Sequence, residues 1–492
     1  MSELLVATTI GLPVLAGALA WFAPERRAAQ LAMIAFALAA LAGLALAVGA
    51  VVSGGSGAFG GTMRIDPLGA YVVLLVLVVS AIALAGSPAH IAHERHSGSL
   101  HERDAGRYYA LLLWFIAGLT AVPMLDNLGL VWVAIEAATI VSALLVGFAR
   151  TPAAIEAAWK YLILGSVGIG FALLGTLLLY ASSVGALGET SDALNWTRLA
   201  AAAGQLDPAL VRLAFIFALV GYGTKAGLAP FHTWLPDAHS QAPSPVSALL
   251  SGASLAVALY ALARFHLVAV GAVGTTFSAT LLVAFGLLSL AVALPFIVAQ
   301  GDLKRLLAYS SIEHIGLATL ALGFGGQLAL VGLGLHLLTH GLTKATLFLA
   351  AGQLVAARRS RRIGRLGGSL AAMPADGRAL LVGSLILGGL PPSGLFVAEI
   401  AILFGGVQQG WGWAAALAAV LLALTMAGFL FHVARVSFGP STLRQPEPPA
   451  RLRWALLLGL PLIAVIAAGL WTPEPLSVLF EQVARILGGG HG

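Results

Sequence analysis

Long apolar runs separated by short polar segments recur along the whole chain. A run of about 20 apolar residues forms a helix long enough to cross a bilayer, so the pattern predicts an all-α polytopic membrane protein of about 14 transmembrane helices. The predicted spans, numbered 1 to 14, are 3–22, 28–52, 68–88, 108–123, 127–148, 158–182, 210–230, 244–265, 276–299, 303–322, 327–355, 378–404, 412–436 and 454–471.

Two of these spans carry residues that interrupt a helix. Span 7 reads FIFALVGYGTKAGLAPFHTWLP and span 12 reads GSLILGGLPPSGLFVAEIAIL. Proline within a helix removes a hydrogen-bond donor and clashes with the preceding turn, so we expect both helices to kink or unwind. Unwound backbone persists at membrane depth only where it lines a cavity or is buried in protein. Two broken helices five spans apart, each with an ionisable residue, indicate two inverted repeats, as in many transporters.

Composition narrows the class further. The chain is 59% hydrophobic and 9% charged, with a net charge of +6 and a pI near 9.8. The arginines lie mainly in loops, so membrane topology and anionic lipid explain the charge better than nucleic acid does. Because there is no cysteine, disulfides, iron–sulfur clusters and thiolate metal sites are excluded within this chain.

The basic loops also predict an orientation. Each of the following sets follows an odd-numbered span: Arg26 and Arg27; Arg95, Arg103 and Arg107; Lys304 and Arg305; Arg358, Arg359, Arg361, Arg362 and Arg365; Arg435, Arg444, Arg451 and Arg453. The positive-inside rule makes that side cytoplasmic, which places both termini on the opposite side.

Lysine has an unusual distribution in this chain. The four lysines, against 22 arginines, are Lys160, Lys225, Lys304 and Lys344, and all lie in or beside apolar stretches. A buried lysine can lose its proton near neutral pH, because desolvation disfavours the charged form, whereas arginine stays charged. Ionisable groups inside a membrane are candidates for ion transport.

A buried acid accompanies these lysines. Glu136 lies mid-span in LGLVWVAIEAATIVSALLV, and an unpaired carboxylate there would be protonated or would find a cation. Lys225 in the broken span 7 is the best candidate for that cation. The alternative is a static structural ion pair.

Span 11 carries three polar residues at helical spacing. His336, His340 and Lys344 are each four residues apart, which puts them on one helix face. Histidine titrates near neutral pH, so this face could pass protons. The alternatives are neutral histidines that hydrogen-bond between helices, or a metal site, although position 337 is Leu and the H-E-x-x-H pattern is missing. We favour no metal and no cofactor in this chain.

Further polar residues complete the candidate set. Glu313 and His314 are adjacent and point about 100° apart on a helix, so they need not share a site, and helix–helix contact is the alternative for both. Ser310 and Ser311 could hold water near them. Glu399 follows the break in span 12. The remaining accessory candidates are His232, after the break in span 7; Lys160, which could equally extend to the cytoplasmic interface; and Lys304, which we interpret as an interfacial anchor that could also feed a proton inlet.

Six segments resemble one family. They are KAGLAPFHTWLPDAHSQAPSPVSALLSG (225–252), NLGLVWVAIEA (127–137), AWKYLILGSVGIG (158–170), DLKRLLAYSSIEHIG (302–316), HLLTHGLTKATLFLAAG (336–352) and GGLPPSGLFVAEI (388–400). In these the chain resembles the proton-pumping antiporter-like membrane subunits of respiratory complex I, membrane-bound hydrogenases and multisubunit Na+/H+ antiporters. The stretches AWKYLILGSVGIG and SSIEHIG most resemble the F-type component of hydrogenase-4.

The resemblance implies a fold and a set of roles. It implies N-terminal helices 1–3 in residues 1–107, one repeat (helices 4–8) in 108–270, an inverted repeat (helices 9–13) in 271–437, and helix 14 with a tail in 438–492. It also implies that Glu136 pairs with Lys225, that His336, His340 and Lys344 form a central relay, and that Glu399 is the terminal residue. A prokaryotic cytoplasmic membrane, neighbouring membrane subunits and a peripheral redox or enzymatic module are further implications.

One departure from the family concerns span 8, which usually carries a titratable Lys or His. Here it reads SALLSGASLAVALYALARF, with Ser251 and Ser254 and no titratable residue before Arg264. A link from Lys225 to the span-11 relay would then need waters held by serines, or another route.

Three functions follow from these features. The first is a proton-translocating subunit of a complex I-like oxidoreductase, with electrons handled by partners. The second is an ion-conducting subunit of a non-redox assembly, such as a cation/proton antiporter complex or a proton-energised inorganic-carbon uptake system. The third is a structural remnant, against which the intact Glu136, Lys225, His340, Lys344 and Glu399 argue.

Overall fold

The computed structural model describes residues 2–96, 100–440 and 452–489. Its helices are α1 Ser2–Phe22, α2 Glu25–Ser53, α3 Pro67–His96, α4 Glu102–Ala121, α5 Leu128–Val146, α6 Pro152–Leu187, α7 Trp196–Ala201, α8 Pro208–Ala226, α9 Trp234–Gln241, α10 Ser244–Leu249, α11 Leu255–Val273, α12 Thr275–Val298, α13 Leu303–Phe324, α14 Gln327–Arg358, α15 Ser369–Ala372, α16 Pro374–Leu387, α17 Gly394–Gln408, α18 Gly412–Phe438, α19 Leu452–Leu470 and α20 Glu474–Leu487. An antiparallel ribbon of β1 (Ser56–Ala58) and β2 (Met63–Ile65) joins α2 to α3.

The predicted membrane architecture is confirmed. Within the described residues, 12 helical segments are long and apolar enough to cross a membrane. Predicted span 11 corresponds to α14, and predicted span 12 to the pair α16 and α17; these are not among the 12. The count of 14 spans and the inverted repeats therefore stay predictions, as do the domain boundaries. Arg444 and Arg451 of the basic loops lie outside the described residues.

Local sequence explains where the helices near the site begin. The side chain of Asn127 accepts hydrogen bonds from the backbone N–H groups of Gly129 and Leu130, which caps α5. Asp207 caps α8 in the same way, and Pro208 occupies its first turn. Polar caps satisfy backbone donors that have no partner within a helix, and proline is tolerated there because its missing N–H is not needed.

Both predicted helix breaks are present. Helix α8 ends at Ala226, and Gly227 adopts a left-handed conformation (φ 81°) that ends the helix before α9 begins at Trp234. Helix α16 ends at Leu387, and the chain turns through 388–393 before α17 begins. Lys225 therefore lies in the last turn of α8, and Glu399 lies in the second turn of α17.

The most buried helices lie at the centre of the molecule. In its most apolar 18-residue window, the segment 244–273 is 100% buried, and α13 is 94% buried; the corresponding figure for α19 is only 17%. The centre includes a π-helical turn, Leu250–Ser254, between α10 and α11. There the backbones of two glycines approach closely: a Cβ atom at Gly252 would lie 2.9 Å from the carbonyl oxygen of Gly341 in α14. The predicted relay residues thus lie on α13, which is one of these buried helices, and on α14, whose Gly341 lies against the π-helical turn.

Candidate functional site

Lys225 is buried among aromatic rings. Its Nζ donates a hydrogen bond to the hydroxyl of Tyr161 in α6, and lies 4.7 Å from the centre of that ring. The Tyr161 hydroxyl also lies 2.7 Å from the Oγ atom of Ser142 in α5. Trp234 of α9 packs on Tyr161 with 4.5 Å between ring centres, and its own ring centre lies 6.0 Å from the lysine Nζ. Side chains of α6 and α9 therefore lie against this cation, and α5 joins the group through the contact of Ser142 with Tyr161.

Glu136 lies near this group without contacting the lysine. The carboxylate Oε1 accepts a hydrogen bond of 2.7 Å from Ser166 in α6, while Oε2 is buried and has no hydrogen-bond partner in the described part of the chain. Within the described residues, no ion pair joins Glu136 to Lys225 at 4.0 Å or less. The expected pair is therefore not in direct contact in this structure, because the hydroxyl of Tyr161 takes the place of the carboxylate.

Lys344 is held in a different way. Its Nζ, which is fully buried, donates hydrogen bonds to the carbonyl oxygen of Leu307 at 2.7 Å and to Oγ of Ser310 at 2.5 Å. Both partners are neutral and belong to α13. The two histidines preceding it on α14, His336 and His340, have parallel rings 6.1 Å apart. All three side chains are buried along α14, as their spacing predicts.

A third imidazole joins this face from α13. The ring of His314 lies 5.2 Å from the rings of both His336 and His340. Its Nδ1 atom is 4.0 Å from Oε1 of Glu399, which comes from α17 after the helix break. The structure therefore assembles His314, the span-11 histidines and Glu399 into one cluster, which sequence spacing alone leaves undetermined.

Glu313 forms its hydrogen bond with a residue of another helix, α18, but lines the same cavity as His314 and Glu399. Its Oε1 accepts a hydrogen bond from the hydroxyl of Thr425 in α18. Glu313, His314 and Glu399 nevertheless line a single small cavity, together with Ser310. Gly389, in the turn between α16 and α17, lies directly under the Glu399 carboxylate, and a side chain there would collide with it. The break in span 12 thus creates room for this carboxylate.

A pair of serines joins α13 to the π-helical turn that precedes α11. Ser251, in the π-helical turn, and Ser311 of α13 are joined by a hydrogen bond of 2.8 Å between their Oγ atoms. The Oγ of Ser254 is buried and finds no hydrogen-bond partner within residues 2–96, 100–440 and 452–489. Polar groups therefore reach the centre of span 8 in spite of the missing Lys or His.

The accessory lysines have contrasting environments. Lys304 is 3% exposed and donates a 2.6 Å hydrogen bond to the carbonyl oxygen of Ala242, so its side chain is buried within the protein. Its role as an interfacial anchor or as part of a proton inlet stays a prediction. It lines a cavity with His90, Glu94 and Arg361 among other residues. The side chain of Lys160, by contrast, is 47% exposed and forms ion pairs with Glu156 (2.5 Å) and Asp237 (3.2 Å).

His232 lies apart from these groups. Its ring is buried 6.5 Å from the rings of Phe296 and Tyr309, and none of the described residues forms a hydrogen bond with its Nδ1. The structure does not bring it to Lys225 or to the histidine cluster.

Sequence reasoning missed several participants. Tyr161 and Thr425 each form a hydrogen bond with a predicted residue, and the signal for Tyr161 was its position directly after Lys160 in α6. The partner of a further buried cation, in addition to Lys225, Lys304 and Lys344, was also missed: Arg264 of α11 forms a 2.6 Å ion pair with Asp66, which directly precedes α3. Its guanidinium carbon lies 3.8 Å from the centre of the Trp196 ring.

Comparisons with known proteins agree with this architecture. Residues 126–425 match the family described as NADH:quinone oxidoreductase/Mrp antiporter, TM. The chain is 38% identical over 428 residues to the hydrogenase-4 component F homolog of Methylacidiphilum infernorum (isolate V4), covering 87% of this chain and 89% of that one.

Solved structures share the fold. A chain of the membrane-bound sulfane sulfur reductase, an archaeal respiratory membrane complex, superposes with a TM-score of 0.86 at 23% identity, covering 99% of this chain and 97% of that one. A chain of respiratory complex I from Thermus thermophilus gives a TM-score of 0.75 at 26% identity, covering 95% and 97%. These relatives are subunits of multisubunit membrane complexes. The chain belongs to the NADH:quinone oxidoreductase/Mrp antiporter family of polytopic membrane subunits.

Proposed function

We propose that this chain is a proton-translocating membrane subunit of a complex I-like oxidoreductase, of the membrane-bound hydrogenase or NADH-quinone oxidoreductase type. The observation that supports this most is the group of polar side chains buried along the helices at the centre of the molecule. Ionisable groups inside a membrane are energetically unfavourable and mark ion paths when they persist.

Within the first predicted repeat (108–270), which we call the first half of the path, protons would be exchanged at Lys225. The lysine can give a proton to, or take one from, the hydroxyls of Tyr161 and Ser142, which follow it in a chain of hydrogen bonds. Glu136 does not touch the lysine and supplies negative charge close by. A change in the charge of Glu136 would therefore favour or disfavour the charged form of the lysine.

Within the predicted inverted repeat (271–437), the second half of the path, protons would pass between Lys344 and Glu399. Ser310 contacts Lys344, and the three imidazoles of His336, His340 and His314 continue toward the carboxylate. The Ser251–Ser311 pair would hold the water that joins the two halves. Imidazoles suit this role because each ring has two nitrogens and can accept a proton on one while releasing it from the other.

The chain contains no recognisable cofactor motif, so partner subunits would carry the electrons. We propose a prokaryotic cytoplasmic membrane, with both termini on the non-cytoplasmic side, and an assembly with other membrane subunits and a peripheral redox module. Identification of the subunits that co-purify after mild detergent extraction tests this part. Iron–sulfur and hydrogenase-like or quinone-reductase-like partners support a redox-driven pump, whereas a lone soluble zinc enzyme or only small antiporter-type subunits contradict it.

Proton uptake into sealed membrane vesicles tests the path itself. Glu136→Gln and Lys225→Ala should each abolish coupled proton movement and leave the amount of assembled complex close to that of the wild type. Normal pumping by both variants would show that protons do not use these residues.

A further inference from the structure

Three side chains from three helices form a compact set of metal-ligand atoms. One ligand atom from each of His314 (α13), His336 (α14) and Glu399 (α17) lies within 4.8 Å of the others. Both histidines are at most 2% exposed, and the Glu399 side chain is 13% exposed. His314 and Glu399 also line the cavity at the break between α16 and α17.

The ring nitrogens of this set are available. Among the residues that the structure describes, Nδ1 of His314 and both Nδ1 and Nε2 of His336 are buried without a hydrogen-bond partner. Buried polar atoms in folded proteins normally have a partner, so three unpartnered nitrogens in one place call for an explanation. Leu387, in the last turn of α16, lines the same cavity as His314.

The charge of the surroundings suits a divalent cation. Glu399 contributes one carboxylate, and Glu313 lines the same cavity with a second. Two carboxylates balance a charge of +2, which removes much of the penalty for burying the ion. Lys344, on the same helix as His336, donates its hydrogen bonds to Leu307 and to Ser310, which also lines the cavity.

We propose that His314, His336 and Glu399 bind a divalent transition-metal ion of the zinc class. Two imidazoles and one carboxylate are a ligand set that zinc accepts, with a fourth position left for water. The cavity supplies the space for that water. Because zinc–ligand bonds are about 2.0–2.1 Å long, the ligand atoms must approach one another by roughly 1 Å, which small rotations of these side chains provide.

This site differs from the motif considered for the sequence. The H-E-x-x-H pattern places its ligands on a single helix, whereas this set combines His336 with His314 and Glu399 from two other helices and omits His340. The expectation of no metal, which rested on the missing pattern, therefore does not extend to ligands that only the fold brings together.

A bound ion would have a consequence for transport, and this step rests on the proposed function. It would occupy the gap between His314 and Glu399 and engage the nitrogens that otherwise accept and release protons. Zinc should therefore inhibit proton movement from within the second half of the path.

The first experiment measures binding without any transport assay. The purified full-length chain in detergent is dialysed against Zn²⁺ and its metal content is determined. We expect one tightly held zinc per chain in the wild type, and its loss in His314→Ala and His336→Ala. His340→Ala, a matched variant on the same face of α14, should keep the metal. X-ray absorption of the wild-type complex should show two imidazole ligands and oxygen at about 2.0 Å.

Three results would overturn the site. They are absence of bound zinc in the wild type, equal binding by His336→Ala and the wild type, and loss of zinc in His340→Ala together with an absorption spectrum lacking imidazole. The absorption spectrum of the wild type keeps the test valid if a variant fails to fold. If zinc binds as expected but does not slow proton uptake into vesicles, the result supports the metal site and contradicts the proton path through His314.

Discussion

Two cations are buried in neighbouring helices, and they have opposite kinds of partner. Arg264 in α11 has the carboxylate of Asp66 at 2.6 Å, and the rings of Trp196 and Tyr260 pack against its guanidinium. Lys225 in α8 also has aromatic neighbours, but its hydrogen bond goes to the neutral hydroxyl of Tyr161. The Asp66 carboxylate favours the charged form of the arginine. The lysine is hydrogen-bonded to a neutral hydroxyl, so the stability of its charged form depends on other charges nearby.

Under the proposed function, this contrast separates a structural cation, Arg264, from a cation that takes part in transport, Lys225. The Asp66 carboxylate also accepts a 2.8 Å hydrogen bond from the backbone of Gly69, so the arginine ties α11 to the first turn of α3. Lys225 instead forms a hydrogen bond with the hydroxyl of Tyr161, a group that can exchange protons. We therefore expect changes at the first site to affect folding, and changes at the second to affect transport.

The largest expected effect is on stability. Asp66→Asn removes the countercharge and leaves Arg264 buried and unpaired, which should lower the free energy of unfolding by about 3–5 kcal/mol. The midpoint of thermal unfolding in detergent measures this. Asp192→Asn is the matched control, because Asp192 pairs with Arg198 at the surface and its change should leave the midpoint nearly unaltered. Equal midpoints for both variants would remove the distinction between the two pairs.

The next effect is on transport alone. Lys225→Arg keeps a positive charge, but arginine does not release its proton, so proton uptake should fall by about 10²-fold or more. The amount of assembled protein should stay near the wild-type amount. Wild-type uptake in this variant would mean that Lys225 acts only by its charge, as Arg264 does.

A smaller effect is expected at the phenol. Tyr161→Phe removes the hydroxyl between Lys225 and Ser142 and leaves a buried ammonium without this acceptor, which should lower stability by about 1–3 kcal/mol. Proton uptake should slow less than in Lys225→Arg, because water can replace the hydroxyl. Tyr180→Phe, on the same helix and outside this network, is the control. Unchanged uptake in Tyr161→Phe would exclude the hydroxyl from the path.

The smallest effect is expected at the surface lysine. Lys160→Ala removes two ion pairs at the half-exposed end of α6, while Asp237 keeps Arg305 as a partner. Ion pairs in contact with water contribute little, so uptake and thermal midpoint should both match the wild type. A loss of uptake would extend the path to the surface at this residue.

Features that depend on local pattern could be predicted from the sequence. Hydropathy located the helices, because bilayer thickness sets their length, and the prolines at 230 and 391–392 located the breaks. The four-residue spacing of His336, His340 and Lys344 placed them on one face, since that spacing is a property of the helix itself.

Partners on separate helices could not be predicted in this way. Asp66 lies 198 residues before Arg264, and Thr425 lies 112 residues after Glu313. The opposite sign of charge made Glu136 the expected partner of Lys225, but the packing of α6 places a phenol there instead. The burial of Lys304 likewise depends on a cavity formed by α3 and α14, which no local pattern records.

The contact between Gly252 and Gly341 restricts how this molecule can change over evolutionary time. Alanine is the smallest possible replacement, yet at either position its methyl carbon would lie under 3 Å from the carbonyl oxygen of the other glycine. One mutation cannot relieve a collision that the opposite backbone creates, and moving the helices apart would displace Ser251 and His340, the residues next to the two glycines. Replacement of either glycine should therefore be strongly disfavoured, and variation in the centre of this protein is expected at side chains that face away from that crossing.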